Sequence, residues 1–300
     1  MQKVTSLLHR IYKARLAYLF LLPQIILLAV YSYYPAFSGL YHSFFEWDST
    51  GREIFIGLDN FKELFQDKIF LNSFSVLLEL MIPRLIISVI VPLFVAELIF
   101  GVRSSRLKYL YRVLILLPMV APGVVGTLIW KNIYDPNNGL MVTVCRLLGI
   151  VGQGQAVDWH GDPNLIIFSI IFMGFPWVGG TSVLVYMSGL SSISSEVIES
   201  SVLDGCGRIR RFFSIDLPAV MGQIKYFLVF GIIGEIQNYS TQIILTNGGP
   251  GFRTMVPGYY MFTQAFKADR MGYASAMGTV LFFLIFIITL LTMKFVKTSE

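Results

Sequence analysis

The stretch ASAMGTVLFFLIFIITLLTM, residues 274–293, runs for twenty residues without a charged side chain. About 20 apolar residues at 1.5 Å per residue cross the hydrocarbon core of a bilayer, so this segment reads as a transmembrane helix. Working outward, the full span extends over 273–296, and five more stretches approach the same length: 16–37, 72–100, 109–131, 164–188 and 220–245. The second contains Pro83 and Pro92, which a membrane helix tolerates where neighbours satisfy the freed carbonyls. Composition agrees. Hydrophobic residues make up 55% of the 300 residues, charged residues 14%, and mean hydropathy is +0.68. A typical soluble domain is roughly 45–50% apolar and 25% charged, so a soluble globule of this chain lacks the charge to cover its surface. Disorder is excluded by the high hydrophobicity, and a disulfide scaffold by a count of two cysteines. The expected fold class is all-α: a single polytopic membrane domain over 1–300, with six transmembrane helices and a cytoplasmic loop at 189–219.

The loops orient the spans. Residues 1–15 carry Lys3, Arg10, Lys13 and Arg15 with no acid; the loop between spans two and three carries Arg103, Arg106, Lys108 and Arg112; the tail carries Lys294 and Lys297 before Glu300. All three are expected on the cytoplasmic side. The loop 42–70 holds six acids, Glu46, Asp48, Glu53, Asp59, Glu63 and Asp67, and is expected outside. Six spans then leave both termini in the cytoplasm. One loop dissents: 246–272 is external by this count yet holds Arg253, Lys267 and Arg270 against Asp269. The apolar run after the basic start continues through aromatic residues to Phe37 without a convincing small-residue cleavage site, so it reads as a retained first span rather than a signal peptide. The net charge of +5 reflects cytoplasmic loops and calls for no nucleic-acid partner. Cys145 falls outside and Cys206 inside, so they are expected as unpaired thiols.

Catalytic signatures are missing. The chain has no G-x-x-x-x-G-K-[ST] phosphate loop, no H-E-x-x-H and no G-x-S-x-G. His9, His42 and His160 are scattered over different segments, unlike a metal cluster. No catalytic residue, metal site or cofactor is expected in this chain, and transport outranks enzymology.

The loop between spans four and five reads GLSSISSEVIESSVLDGCGRIRRFFSIDLPAV from residue 189. Ser194 or Ser195 can cap a helix whose first turns carry Glu196 and Glu199, suiting the helix dipole. Asp204-Gly205 supplies a stop, because glycine takes positive φ without penalty. A second short helix follows with Arg208, Arg210 and Arg211 beside Ile209, Phe212 and Phe213, and ends at Pro218. On physics alone this pair is either an interfacial segment whose arginines meet lipid phosphates or a docking element for a partner.

The residue pattern favours docking. It resembles the signature of binding-protein-dependent ABC transporter permeases: E-A-A, three residues, G, nine residues, I-x-L-P. Glu199-Ser200-Ser201 stands for E-A-A, Gly205 follows after three residues, and Ile215-Asp216-Leu217-Pro218 completes the pattern. The departure is two serines for two alanines. The resemblance covers nearly the whole chain. Gly57-Leu58-Asp59-Asn60-Phe61, the stretch PMVAPGVVGTLIWKNIYDPNNG over 118–139, Thr246-Asn247-Gly248-Gly249-Pro250 and Gly272-Tyr273-Ala274-Ser275-Ala276 are similar to segments of the carbohydrate-type members, such as maltose and glycerol-phosphate permease subunits. The resemblance implies one half of a translocation pathway in a bacterial or archaeal plasma membrane. It implies a second permease of the same family, two ATPase subunits that carry ATP and Mg, and an extracytoplasmic sugar-binding protein. The first helix of the loop would dock on an ATPase through Glu199, Ser200, Ser201 and Asp204, with Gly205 setting the bend and Ile215, Leu217 and Pro218 closing it. Arg208, Arg210 and Arg211 are read either as anchors to headgroups or as contacts to the partner.

Polar residues inside spans are costly and are functional candidates. The fifth span carries Glu235, Gln237, Asn238, Tyr239 and Gln242. Glu235, Asn238 and Gln242 follow i, i+3, i+7 spacing and share a face on a regular helix, with Tyr239 beside it. Planar polar groups suit sugar hydroxyls and an aromatic ring suits the C–H face of a pyranose. Counting back from Thr246-Asn247-Gly248-Gly249-Pro250, Glu235 and Asn238 fall where maltose-type members place substrate-contacting asparagines. The competing reading is a face that bonds the helix to its neighbours. Phe175, Trp177 and Tyr186 are weaker candidates. Glu79 and Arg84 of the second span are also candidates, a structural ion pair outranking a substrate site: five residues apart, they do not face each other on a regular helix, so either Pro83 changes that or each pairs with the partner permease. The rival mechanism is a secondary transporter coupled to ions through Glu79, Glu97 or Glu235.

Overall fold

The computed structural model describes residues 13–295. Lys3, Arg10, Lys297 and Glu300, which bear on the orientation of the termini, lie outside the described residues. The chain forms two compact units, one from residues up to 65 together with 261–280, the other from 66–260 together with 281 onward.

The first unit contains α1 (Arg15–His42), a β-hairpin and α2 (Asp59–Leu64). The 18-residue apolar core of α1 buries none of its residues within the chain, and Leu16, Phe20 and Tyr31 are among its exposed side chains. Such an all-apolar, uncovered helix suits a lipid or protein environment. The hairpin pairs β1 (Phe45–Trp47) with β2 (Glu53–Phe55) in antiparallel register, Glu46 opposite Ile54. It is the one sheet among the described residues. Its turn is built on Asp48, whose Oδ1 accepts from the N–H and hydroxyl of Thr50 and from the N–H of Arg52. The Thr50 hydroxyl leads the interactions that hold the Asp48 carboxyl below its ordinary range. Buried Asn60 ties α2 to the hairpin by donating to the carbonyls of Ser43 and Phe45.

The second unit is organised on α3 (Lys68–Phe100), capped by Asp67, whose Oδ1 accepts from Ile69 and Phe70. Its 33 residues include both prolines without an end to the helix. Then come α4 (Ser105–Val120) and α5 (Gly123–Ile133), bent by 87° at Ala121-Pro122. Next are α6 (Leu140–Leu147), α7 (Ile166–Phe172), α8 (Gly180–Ser191), α9 (Ser195–Leu203) and α10 (Arg208–Ala219). Last are α11 (Met221–Gln237), α12 (Pro257–Phe266) and α13 (Met271–Phe295); residues 261–280 of the last two elements belong to the first unit and the rest to the second.

Helix α8 packs against α3, α4 and α11. The resulting core holds Leu93, Ala96, Ile99, Val183, Tyr186, Met187, Leu190 and Val220. Close approach requires glycine at the start of α8: a Cβ on Gly180 would lie 2.7 Å from the Ile115 carbonyl oxygen of α4.

Among the described residues, three helices are long and apolar enough to cross a membrane, α1, α3 and α13, and up to five spans result if the bent pairs α4–α5 and α10 with Met221–Thr246 each count as one. The stretch 164–188 differs from expectation. It is two short helices separated by residues 173–179, where Gly174 takes φ +95°, Pro176 has no N–H to donate, and Trp177 takes φ +57°. Hydropathy registers the apolar residues there, and is blind to this backbone path.

The segment after α5 has its own small core. The Tyr134 hydroxyl donates to the carbonyl of Ser169 at 2.8 Å, and the Ser169 hydroxyl lies 3.1 Å from the Trp159 carbonyl. Burial pushes the Tyr134 phenol up and the neighbouring His160 imidazole down.

Candidate functional site

Helices α9 and α10 form the expected helix pair. The Ser194 hydroxyl faces the N–H of Val197 at 3.4 Å as the N-cap of α9, and Glu196 lies in its first turn. The two serines that replace alanines bond back into their own helix: Ser200 to the Val197 carbonyl at 3.1 Å and Ser201 to that of Ile198 at 2.7 Å. Each hydroxyl is thereby satisfied without a new partner, and Ser201 is buried. Asp204 is the C-cap and Gly205 takes φ +67°. The N–H of Cys206 reaches the Ser201 carbonyl at 2.9 Å and the N–H of Gly205 reaches that of Val202 at 3.1 Å. This is the paired Schellman pattern, which fixes the direction in which the chain leaves a helix. A Cβ on Gly205 would touch nothing, so its requirement is conformational.

Glu199 and Asp204 are exposed on α9, with Val197, Val202 and Leu203 exposed beside them. Leu203 is 87% accessible. Ile215 is half-buried, and Leu217 is half-buried against the core of the second unit. Pro218 is exposed and precedes the 64° bend at Val220. It stands inside the final turn of α10, one residue before the helix ends at Ala219, rather than at the end itself.

Of the three loop arginines, Arg208 and Arg210 are exposed while Arg211 turns inward. Its Nε–H donates to Asp216 at 2.9 Å and its Nη2–H to Glu97 of α3 at 3.2 Å. Burial disfavours the charge on Arg211, but Asp216 and then Glu97 outweigh it and raise its pKa. Sequence reasoning missed this cluster. Arg211 and Asp216 are five residues apart, a spacing that diverges on a regular helix, and the π-turn Phe212–Asp216 brings them together.

The predicted substrate residues are arranged differently from one continuous face. Helix α11 stops at Gln237, and Asn238 is extended (φ −76°, ψ 122°). The Asn238 Oδ1 accepts from the N–H of Ser240 at 3.2 Å, so this asparagine shapes the turn out of the helix. Gln237 is exposed, Tyr239 half-buried and Gln242 buried in a π-turn, Gln242–Thr246. The i, i+3, i+7 spacing therefore does not place Glu235, Asn238 and Gln242 on one regular helix. Among the described residues, buried Gln242 Oε1 has no hydrogen-bond partner.

Glu235 pairs with Arg84 of α3 at 3.1 Å, with side chains 19% and 22% accessible. Glu79 pairs with Arg253 at 2.6 Å, and Arg270 pairs with Glu63 within the first unit. Glu79 and Arg84 thus face different partners. Two cations of the basic loop 246–272, Arg253 and Arg270, are thus each paired with an acid. Cys145 and Cys206 are both free thiols, and among the described residues no His, Cys, Asp and Glu group is suited to a metal ion.

Residues 88–298 match the family of binding-protein-dependent transport system inner membrane components. The probable ABC transporter permease protein YurN of Bacillus subtilis is 31% identical over 288 residues, covering 94% of this chain and 96% of that protein. The multiple sugar-binding transport system permease protein MsmF of Streptococcus mutans is 29% identical, covering 94% and 95%. In structure, the chain is similar to a chain of a bacterial ABC transporter involved in the import of the acidic polysaccharide alginate, with a TM-score of 0.85, 22% identity and coverage of 97% and 98%. That likeness extends the shared fold over nearly the whole of both chains. With the match over 88–298 and the full-length similarity to YurN, this chain belongs to the family of binding-protein-dependent transport system inner membrane components.

Proposed function

We propose that this chain is the translocation-pathway subunit of an ATP-driven importer of sugars or oligosaccharides, acting as one permease domain over its whole length. It works beside a second permease of the same family, two cytoplasmic ATPase subunits that bind ATP and Mg, and an extracytoplasmic sugar-binding protein. The subunit resides in a bacterial or archaeal plasma membrane with both termini cytoplasmic. The sugar class is supported by the relative named for multiple sugars. The observation that carries the reading is the α9–α10 pair: a spacing-matched signature folded as two short helices, with a fixed exit at Gly205 and exposed apolar side chains on α9.

In this mechanism α9 seats on an ATPase through Glu199, Ser200, Ser201, Asp204 and the exposed Val202 and Leu203. Gly205 and the closing residues Ile215, Leu217 and Pro218 hand the movement to α10. Arg211 transmits it to α3 through Glu97, because a hydrogen-bonded ion cluster moves as a unit. Glu235, Gln237, Asn238, Tyr239 and Gln242 contribute to the sugar path where α11 ends. Polar side chains around a helix break are available to hydroxyls there without unwinding regular structure.

Ion-coupled transport has less support. Glu79, Glu97 and Glu235 each lie beside an arginine, which suits a structural ion pair better than a cycling proton site. The experiment is uptake of maltose and raffinose by proteoliposomes holding the complete complex and its binding protein. ATP inside the vesicle should drive uptake. Uptake driven by a proton or sodium gradient without ATPase subunits would contradict the reading.

A further inference from the structure

Helix α6 lies where the third span leaves the membrane. It packs against α5, the second half of that bent span. Aromatic side chains mark the level. Trp130, in the last turn of α5, lies beside Tyr134 (centroids 5.5 Å), and Tyr134 beside Trp159 (5.9 Å). Indole and phenol rings collect at the boundary between hydrocarbon and water. The Tyr134 hydroxyl, bonded to the Ser169 carbonyl, ties this belt to α7.

The helix has two unlike sides. At 3.6 residues per turn, Leu140, Val144, Leu147 and Leu148 fall on one arc of about 100°. All four are exposed, Leu147 at 81%. Val142, on the opposite side, is fully buried. The chain then turns at Gly149, where the N–H of Ile150 reaches the Cys145 carbonyl at 2.9 Å, and the Ile150 side chain is exposed as well. Polar groups at the margin are satisfied internally. The Thr143 hydroxyl donates to the Gly139 carbonyl at 2.9 Å. Arg146 is the one charged residue between Asp135 and Asp158. It lies off the apolar arc, and its guanidinium donates to the carbonyls of Asn137 and Gln155 at 2.9 and 2.7 Å.

We infer that α6 is an interfacial helix, lying along the bilayer surface with Leu140, Val144, Leu147 and Leu148 in the acyl boundary of the leaflet where α5 ends. Only the choice of leaflet, the outer one, rests on the proposed orientation. A contiguous exposed apolar patch marks contact with a membrane or a partner. A soluble partner docks through a surface with a polar rim, and the charge-poor segment around this arc supplies no such rim. A lipid surface asks only for an apolar arc on a helix whose backbone bonds are internal. The arc is continuous with Val124, Val125, Leu128 and Ile129, the exposed apolar side chains of α5. Seated this way, α6 holds the end of α5 at a fixed level beside α7.

Two measurements test this in the assembled complex, held in nanodiscs of phosphatidylethanolamine and phosphatidylglycerol. With Cys145 and Cys206 replaced by Ser, a nitroxide on Leu147→Cys should be relaxed more by oxygen, which concentrates among acyl chains, than by a water-soluble nickel chelate. On Thr50→Cys, exposed in the hairpin turn, the order should reverse. A Leu147 nitroxide open to nickel overturns the inference, because the face then meets water. One shielded from both reagents overturns it too, because protein covers the face. Nickel access that falls when the binding protein is added identifies a docking face and likewise overturns it. The other arm is amide exchange over 140–150. Leu147→Ser should raise it by roughly tenfold or more, the effect of withdrawing one leucine from hydrocarbon. At a position facing water the same change has little effect, so unchanged exchange overturns the inference. Neither arm uses sugar or ATP, so a failure here leaves the import function standing, and a complex that takes up no sugar leaves the interfacial helix standing.

Discussion

The Nε–H of Arg211 donates to Asp216 at 2.9 Å, and Asp216 is fully buried. The same guanidinium reaches Glu97 at 3.2 Å. The 189–219 loop is thus bonded to itself and to α3, the longest helix among the described residues, through one side chain. Under the proposed mechanism, a rigid connection of this kind would turn a push on α9 into movement of α3, which a flexible tether would absorb.

Removing Arg211 should therefore cost more than removing its exposed neighbours. Arg211→Met leaves Asp216 buried without its cation, a change worth about 3–5 kcal/mol for a buried pair. Amide hydrogen exchange across 208–219 should rise sharply in this variant, and remain unchanged in Arg208→Met and Arg210→Met. Equal protection in all three would show that the cluster contributes no rigidity.

Gly205→Val should disturb the exit from α9 through backbone conformation alone. A residue with a Cβ pays roughly 1–2 kcal/mol at such a φ, and β-branching adds to it. Gly205→Asn should be milder, since asparagine tolerates the left-handed region. Co-purification of the ATPase subunits should follow the order wild type, Asn, Val. The same retention in the Val variant would remove Gly205 from the docking account.

Breaking the pair between α3 and α11 should damage assembly, and reversing it should repair part of the damage. Arg84→Met leaves Glu235 mostly enclosed without a cation; Arg84→Glu with Glu235→Arg restores opposite charges. Thermal stability of the detergent-solubilised complex should fall by about 3 kcal/mol in the single variant and recover in the double. Failure to recover would point to a role for Glu235 beyond the ion pair.

Burial holds the His160 imidazole below its ordinary pKa of 6.5, with Lys131 adding to the effect and Asp158 opposing it. The unfolded segment takes up a proton near the ordinary value while the folded segment resists it. Stability from this residue is thus complete above about pH 6.5 and declines as pH falls toward the lowered value. Hydrogen exchange over 155–165 should accelerate between pH 7.5 and 5.5 beyond the intrinsic pH effect. His160→Phe should flatten that response.

The spans at α3 and α13 were legible because uninterrupted apolar length is itself the physical requirement for crossing a bilayer. So was the turn at Gly205, because only glycine enters that φ freely. The breaks at 173–179 and at Asn238 were not, since hydropathy counts side chains and carries no record of the backbone path. Arg211 with Asp216 was hidden for a related reason: a π-turn joins residues that a regular helix separates. The ion pairs of Arg253 and Arg270 were hidden because their partners, Glu79 and Glu63, lie far away in sequence.

The most direct test of the coupling assignment is a photo-reactive benzoylphenylalanine in place of Leu203, the most exposed apolar residue of α9. In the intact complex within native membranes, illumination should join this chain to an ATPase subunit. The same probe at Leu148, exposed after α6, should give no such product. A Leu203 probe that links to lipid alone would contradict the account, and α9 and α10 would then be an interfacial segment.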